Sequence, residues 1–264
     1  MRLFAGVLLG LAALTGCGGG ERKANHLTVA GSTAFTPVAQ KLADAFKARR
    51  PGVTIDVHSL GSMVGIKSTN EGGCDIGMAD LVELPETAKS LKSFAVARDG
   101  IAVVVHPNNP VSGLTAAEIG GIFDGTIANW KDVGGPDAVI TVICREESSG
   151  TRRSFDTIAK VKGRVTKSAQ FQNSNGACRA AVASTPNAIS YVTLVQTDPS
   201  VKLLKVDGVE PTIESVRAGS YPFAATDFLL TREDPAGLSK EFIDFALSPE
   251  GQKLIVEAGL IPVK

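Results

Sequence analysis

The chain lacks an excess of either charge: 27 lysines and arginines balance 27 aspartates and glutamates over 264 residues. No global field therefore draws in nucleic acid or an acidic membrane, and any bound anion must be held by local groups. Aromatic residues make up only 5% of the chain. Neither a long basic run nor a stacking-aromatic cluster occurs, which sets nucleic-acid binding aside. Histidines number three, none in a motif context, so a serine nucleophile such as Ser149 has no evident base. A Gly-x-Ser-x-Gly elbow and a Walker loop are both missing. An internal repeat is missing too, and the cysteine spacing fits no zinc pattern. An enzyme, a resident cofactor and a metal centre are thus not expected.

Long hydrophobic runs are missing except at the start. "MRLFAGVLLGLAALTGC" carries Arg2, then an apolar run from Leu3 to Leu14. The run is short for a membrane span and has the layout of an export signal over residues 1–16. Leu14-Thr15-Gly16-Cys17 resembles a bacterial lipobox, which makes Cys17 the expected lipidation position and residues 17–26 a polar, flexible tether. The alternative is an ordinary cleaved signal followed by a free cysteine. Cys74, Cys144 and Cys178 remain, an odd number that allows at most one bridge. Cys144 with Cys178 is the favoured pairing because both fall in the central part of the chain.

What is present is an alternation of strand-like and helix-like runs. "LTVAG" (27–31), "VTIDVHS" (53–59), "DIGMA" (75–79), "FAVARDGIAVVVH" (94–106), "AVITVIC" (138–144) and "NAISYVTL" (187–194) read as strands. Val38, Leu42, Ala45 and Phe46 share a helical face that ends at Pro51-Gly52. Ser62–Asn70 and Gly176–Ser184 read as helices, Thr115–Glu118 as a capping box, and Ser248-Pro249 as an N-cap and first-turn pair. Strand then helix, repeated, implies an α/β fold with mostly parallel sheets. Ligands of such sheets sit beyond the strands' carboxyl ends, where helices begin.

That rule selects three turns, "AGSTAF", "SLGSMVG" and "CREESSGTRR". A helix start offers unpaired N–H groups and partial positive charge. Glycine lets backbone approach closely, and hydroxyls add adjustable donors. A single such turn is ordinarily a plain N-cap. Three on different strands, with Arg145 supplying a planar charged fork, point to a small tetrahedral oxyanion. Arg153 reads as part of a solvated helix face, His58 as a strand-end residue, and Trp130 as packing. Cys144 reads as buried or bridged rather than as an activated thiolate.

These segments carry a resemblance. "GSTAFTPVAQKLADAF", "GSMVGIKST", "DIGMAD", "NWKDVGG", "REESSGTRRSF", "STPNAISYV" and "FIDFALSPEGQKLI" resemble, in order, the phosphate-binding proteins of bacterial ABC importers. The resemblance implies a two-lobed periplasmic-binding-protein fold of type II, each lobe a mostly parallel sheet flanked by helices, joined by a two-strand hinge. One lobe takes residues 27–105 plus 222–264, the other 106–221. It implies capture of inorganic phosphate in the interlobe cleft by an extracytoplasmic, lipid-anchored monomer that serves a permease and its ATPase. It implies ligand contacts at Thr33, Ala34 (backbone), Ser62, Asp80, Arg145, Ser149, Gly150 and Thr151, with Glu147 pairing to Arg145. Asp80 would accept the proton that hydrogen phosphate carries and sulfate lacks. The alternatives are another tetrahedral oxyanion, sulfate or molybdate, or, as a poorer second class, phosphoester hydrolysis.

Overall fold

A computed structural model describes residues 25–263. The expected export signal and Cys17 lie outside the described residues, as does most of the tether; His26 already belongs to the first strand. The first third comprises β1 (His26–Gly31), α1 (Thr36–Arg49), β2 (Thr54–Ser59), α2 (Ser62–Asn70), β3 (Ile76–Leu81) and β4 (Lys92–Val105). Next come β5 (Gly113–Leu114), α3 (Ala116–Asp124), β6 (Thr141–Arg145), α4 (Gly150–Ile158), β7 (Gln170–Gln172) and α5 (Asn175–Ser184). They are followed by β8 (Ala188–Thr193), β9 (Lys202–Leu203), β10 (Lys205–Val206) and α6 (Ile213–Arg217). The chain closes with β11 (Ala224–Thr231), α7 (Gly237–Leu247), α8 (Pro249–Glu257) and β12 (Ile261–Pro262).

The main strand order is β2-β1-β3-β11-β4-β8-β6-β7. The expected parallel pairing forms the two flanks: β1 lies parallel to β2 and β3, and β6 parallel to β8 and β7. The centre is antiparallel, because β11 runs against both β3 and β4, and β4 against β8. The long strand β4 changes partner midway. Through Gly100 it pairs with β11, and from Ile101 it pairs with β8. The chain comes back beside that point, where the Ile101 amide donates to the Phe223 carbonyl at 2.8 Å.

Both faces of each flank are covered, as parallel sheets require. On one side of β1–β3, Phe46 of α1 meets the rings of Phe242 and Phe245 of α7, each at 5.6 Å between centroids. On the other, Ile66 of α2 packs with Ala79, Leu81 and Leu230. Around β6 and β8, Phe155 stacks on Tyr191 at 4.0 Å and on Phe223 at 5.3 Å, while Cys178 and Val182 of α5 cover the opposite face. Such aromatic pairs add about 0.5–1.5 kcal/mol each beyond area burial. Trp130 is buried in the same core and donates to the Asn187 carbonyl at 3.0 Å, so it packs rather than faces a cleft.

Local signals place the helix starts. Thr115 and Glu118 form the capping box of α3, and Ser248 caps α8, with Pro249 in its first turn. The favoured Cys144–Cys178 bridge is absent: both are buried free thiols. The Cys178 sulfur points at the Cys144 carbonyl, 3.7 Å away, rather than at its sulfur. Burial pushes the Cys144 thiol up to about 12 and the Cys178 thiol up to about 11, which keeps both protonated and inert.

Candidate functional site

The three Gly/Ser/Thr turns meet. The first follows β1, the second precedes α2, and the third joins β6 to α4, so all lie beyond strand carboxyl ends. Arg145 at the end of β6 donates through Nη2 to Thr33 Oγ1 at 3.2 Å. The Met63 amide, in the first turn of α2, donates to the Ser148 carbonyl at 3.0 Å. The Val82 amide donates to Ser154 Oγ of α4 at 2.9 Å. Thr151 Oγ1 donates to Asp80 Oδ2 at 2.8 Å, and the Asp80 amide donates to Ser62 Oγ at 3.1 Å. Thr33 is thereby joined to Arg145, and Ser62, Asp80 and Thr151 to one another, while Ser149 caps α4 by accepting from the Arg152 amide at 3.1 Å.

Two glycines permit this approach. Gly61 caps α2 with φ +90°, a left-handed conformation that side chains rarely adopt, and faces the Ser148 backbone. Gly150 opens α4 directly against β3 and α2. A Cβ there would collide with the Asp80 carbonyl and Ser62 Oγ, and would lie 2.8 Å from Ser62 Cβ.

Arg145 is fully buried. Its Nε donates to the Gln172 carbonyl at 3.3 Å and Nη2 to the Asn173 carbonyl at 3.1 Å. Nη1 is buried with no hydrogen-bond partner. Burial lowers the guanidinium's proton affinity, while nearby Glu146 and Asp80 oppose that effect. An arginine keeps its charge in a protein, so a directed, charged donor points into the turn cluster. The two helix starts add their axial dipoles, and α4 leaves its first amides without intrahelical acceptors.

Three aspartates lie alongside: Asp80, Asp99 and Asp227 are at most 3% exposed. Asp227 of β11 is the direct cross-strand partner of Asp80. Asp99 sits opposite Ala225, two residues from Asp227, and so shares its face. Each has one buried oxygen without a partner: Asp80 Oδ1, Asp99 Oδ1 and Asp227 Oδ2. Burial raises the Asp80 carboxyl to about 6, against the Thr151 hydroxyl and the Arg145 charge. Burial, with Asp80 beside them, holds Asp99 and Asp227 well above the usual carboxylate range.

These raised values set a pH dependence. A carboxyl whose folded value lies above its unfolded one favours the folded state fully at low pH, and the contribution is lost as pH rises through the folded value. Asp99→Asn removes that loss. The variant's gain in ligand-free stability should therefore be small near pH 4 and grow toward pH 8. Melting curves across that range test this; a gain that shrinks as pH rises would rule out a buried acid at this position.

Glu147 departs from expectation. It is exposed, whereas its expected partner Arg145 is buried, and the two form no ion pair among the described residues. The Ser149 amide donates to the Glu146 carbonyl at 3.2 Å, a tight turn that carries Glu147 outward. There it lines a surface cavity with Arg152, Arg153 and Asp156. The guanidinium is oriented by backbone carbonyls instead. Arg152 pairs with Asp156 at 3.3 Å and donates to the Arg145 carbonyl at 3.0 Å, while Arg153 is exposed. Ala34 is buried, and its carbonyl and that of Thr33 both accept from Gln196 Nε2, at 3.1 and 2.9 Å.

Sequence reasoning missed Gln196, Asn175, Asp99 and Asp227. Asn175 is buried, donates to Thr151 Oγ1 at 3.4 Å and accepts from the Thr193 amide at 3.2 Å. A single acid inside an apolar strand was the available signal for the two aspartates, in "FAVARDGIAVVVH" and "FAATDFLLT". Gln196 had no comparable signal.

The chain is similar in sequence and fold to known proteins. A family model described as a PBP superfamily domain matches residues 18–250. The phosphate-binding protein PstS of Bacillus subtilis (strain 168) is 36% identical over 250 residues, covering 93% of this chain and 83% of that protein. A Clostridium perfringens protein whose crystal structure holds bound phosphate is 40% identical, with a TM-score of 0.88 over 91% of this chain and 100% of that one. An ABC-type phosphate transport receptor from Vibrio cholerae is 34% identical, with a TM-score of 0.77 over 89% of this chain and 99% of its own.

Proposed function

The chain belongs to the PBP superfamily, and from that membership we propose that it captures inorganic phosphate between two lobes and hands it to a membrane permease driven by a separate ATPase. It binds and releases its ligand and performs no reaction on it. The lobes are residues 27–105 plus 222–264, and 106–221, with β4 and the return into β11 as the hinge. An ABC role is supported by the Clostridium perfringens and Vibrio cholerae proteins, which carry that description. Export by residues 1–16, anchoring by a lipid on Cys17 and a monomeric state complete the reading.

One observation carries the choice of ligand. Within a single turn cluster, Arg145 Nη1 is a buried donor without a partner and Asp80 Oδ1 a buried acceptor without one. A ligand that satisfies both must present a charged oxygen and a hydroxyl. Hydrogen phosphate does so; sulfate presents only lone pairs. An unmade buried bond costs about 1–3 kcal/mol, more for a charged group, so Asp80 selects by repelling the wrong anion. The hydroxyls of Thr33, Ser62 and Ser149 and the backbone amides of Ala34, Gly150 and Thr151 supply the surrounding neutral donors, the Thr151 hydroxyl being given to Asp80.

Titration calorimetry with phosphate and sulfate tests the reading. One phosphate should bind per chain, and sulfate should compete poorly. Asp80→Asn should narrow the phosphate-to-sulfate ratio by at least about tenfold while lowering phosphate affinity less, since an amide can donate to sulfate. Unchanged sulfate exclusion in that variant would sink Asp80 as the selecting group, and absence of phosphate uptake by the wild type would sink the function.

A further inference from the structure

Beside the buried guanidinium of Arg145 lies Asp80, the first of three buried carboxyl groups. β3, β11 and β4 are adjacent strands, and register sets Asp80, Asp227 and Asp99 in a stripe on one face. Directly opposed residues of an antiparallel pair have Cβ atoms about 4.5–5.5 Å apart, which puts the Asp80 and Asp227 carboxyl groups within reach of one another. The free oxygens are Oδ1 of Asp80 and Oδ2 of Asp227. From the neighbouring elements, Arg145 of β6 is the charged group that acts on Asp80, while the neutral Thr151 donates to Asp80 and the neutral Thr193 faces Asp99. Arg98 lies in register with Thr226 and so on the opposite face. Full ionisation would leave three negative charges against one positive before any anion arrives. Two carboxylates this close cannot both ionise in a dry site, and one proton shared between them removes the conflict.

We infer that Asp227 is a neutral carboxylic acid that donates its proton to one lone pair of Asp80 Oδ1 and leaves the other for the ligand hydroxyl, making Asp80 an oriented, ionised acceptor and Asp227 a positioning residue for anion selection. Asp99 is the third member of the stripe and, held neutral chiefly by its own burial, adds no charge beside the pair. The raised proton affinities of Asp99 and Asp227 agree with this arrangement. The device explains how a carboxylate can stand beside a guest anion. Asp227 supplies the local donor that an acceptor oxygen otherwise lacks, and it does so without adding net charge. An Asp80 left to protonate on its own would become a donor and lose its ability to reject sulfate.

This rests on Asp80 as the acceptor for phosphate, yet its test needs no ligand. Carboxyl-carbon NMR of aspartate-labelled, ligand-free protein follows the Asp80 titration, with the resonance assigned by its loss in Asp80→Asn. In Asp227→Ala the ionised form of Asp80 loses its donor, and the midpoint should rise by about one pH unit, a tenfold change in the ionisation constant. If Asp227 were an ionised neighbour, its removal would relieve repulsion and the midpoint would fall. A fall, or no change, overturns the proposal. Asp227→Asn, whose amide also donates, should restore a midpoint within about 0.3 units of the wild type. Should the alanine variant fail to fold, the asparagine variant decides alone, because replacing an ionised carboxylate by an amide would lower the midpoint clearly. Phosphate calorimetry on the wild type is read separately. A protein that shows the titration shift but no phosphate uptake keeps the carboxyl pair and loses the transport reading.

Discussion

Arg145→Met is expected to lower phosphate affinity by about a thousandfold, and Arg145→Lys by about a hundredfold, because truncating one partner of a buried, hydrogen-bonded charge pair costs roughly 2–5 kcal/mol and each 1.4 kcal/mol is tenfold. The chain is neutral overall, so no distant charge can replace this guanidinium. The lysine variant separates charge from geometry. In the wild type, Nε and Nη2 are occupied by the Gln172 and Asn173 carbonyls and Thr33 Oγ1, and Nη1 is left over, aimed by the rigid plane. A lysine ammonium is a point charge with no such plane. It would be drawn to the same carbonyls and leave no directed donor for the anion. Calorimetry gives the affinities, and circular dichroism checks that the variants stay folded, since the carbonyls released by methionine cost about 1–3 kcal/mol if unsatisfied. A methionine variant that is folded and binds phosphate within tenfold of the wild type would remove Arg145 from the site.

Gly150→Ala should abolish tight binding for a different reason. Gly150 is the first residue of α4, and it does not carry the left-handed backbone of Gly61. Alanine is therefore tolerated by the local backbone, and in a helix it is favoured over glycine by about 1 kcal/mol. The obstacle is tertiary: the methyl group would overlap the Asp80 carbonyl and Ser62 Oγ across the crevice. Neither obstacle can swing away freely. Asp80 is in a central strand, and Ser62 Oγ is held by the Asp80 amide. The start of α4 must then stand off from β3 and α2, breaking the Thr151–Asp80 and Met63–Ser148 hydrogen bonds together. Phosphate affinity should fall by about a hundredfold, the same order as losing two hydrogen bonds to charged or buried groups. Thermal stability without phosphate should fall only modestly, by about 1–2 kcal/mol, because the gain in helix propensity offsets part of the two lost hydrogen bonds. Small-angle scattering should show the variant more extended than the wild type when phosphate is in excess. Wild-type affinity in this variant would show that the close approach at Gly150 is not needed for capture.

Much of the architecture could be read locally. Ser62–Asn70 forms as a helix over the span its pattern predicts. The Thr115/Glu118 box and the Ser248-Pro249 pair start helices where they stand. Each is a short-range rule, in which a side chain satisfies an amide within three residues. The three turns were legible for the same reason, since a glycine beside a hydroxyl between strand and helix is a local pattern. Partner choice was not legible. Nothing within "FAATDFLLT" states that it inserts antiparallel between β3 and β4, yet that insertion sets Asp227 beside Asp80. Glu147 lies two residues from Arg145 and still points away, because the turn around Glu146–Ser149 decides its direction. Cys144 and Cys178 share the middle of the chain, but a strand and a helix hold their sulfurs apart from bonding.

By itself, then, the order of residues determined the alternation of strands and helices, the places where helices begin, and the presence of one arginine with several hydroxyls at those places. Periodicity and capping act over a few residues, so a linear reading suffices for them. Only the tertiary structure decided which polar atoms are left buried and unpaired: the Arg145 nitrogen, the Asp80 oxygen and those of the two carboxyls in line with it. Burial removes water as the default partner for every polar atom, and which atoms lose it depends on strand register and on contacts between segments more than 60 residues apart, as between Asp80 and Thr151, 71 residues distant in sequence.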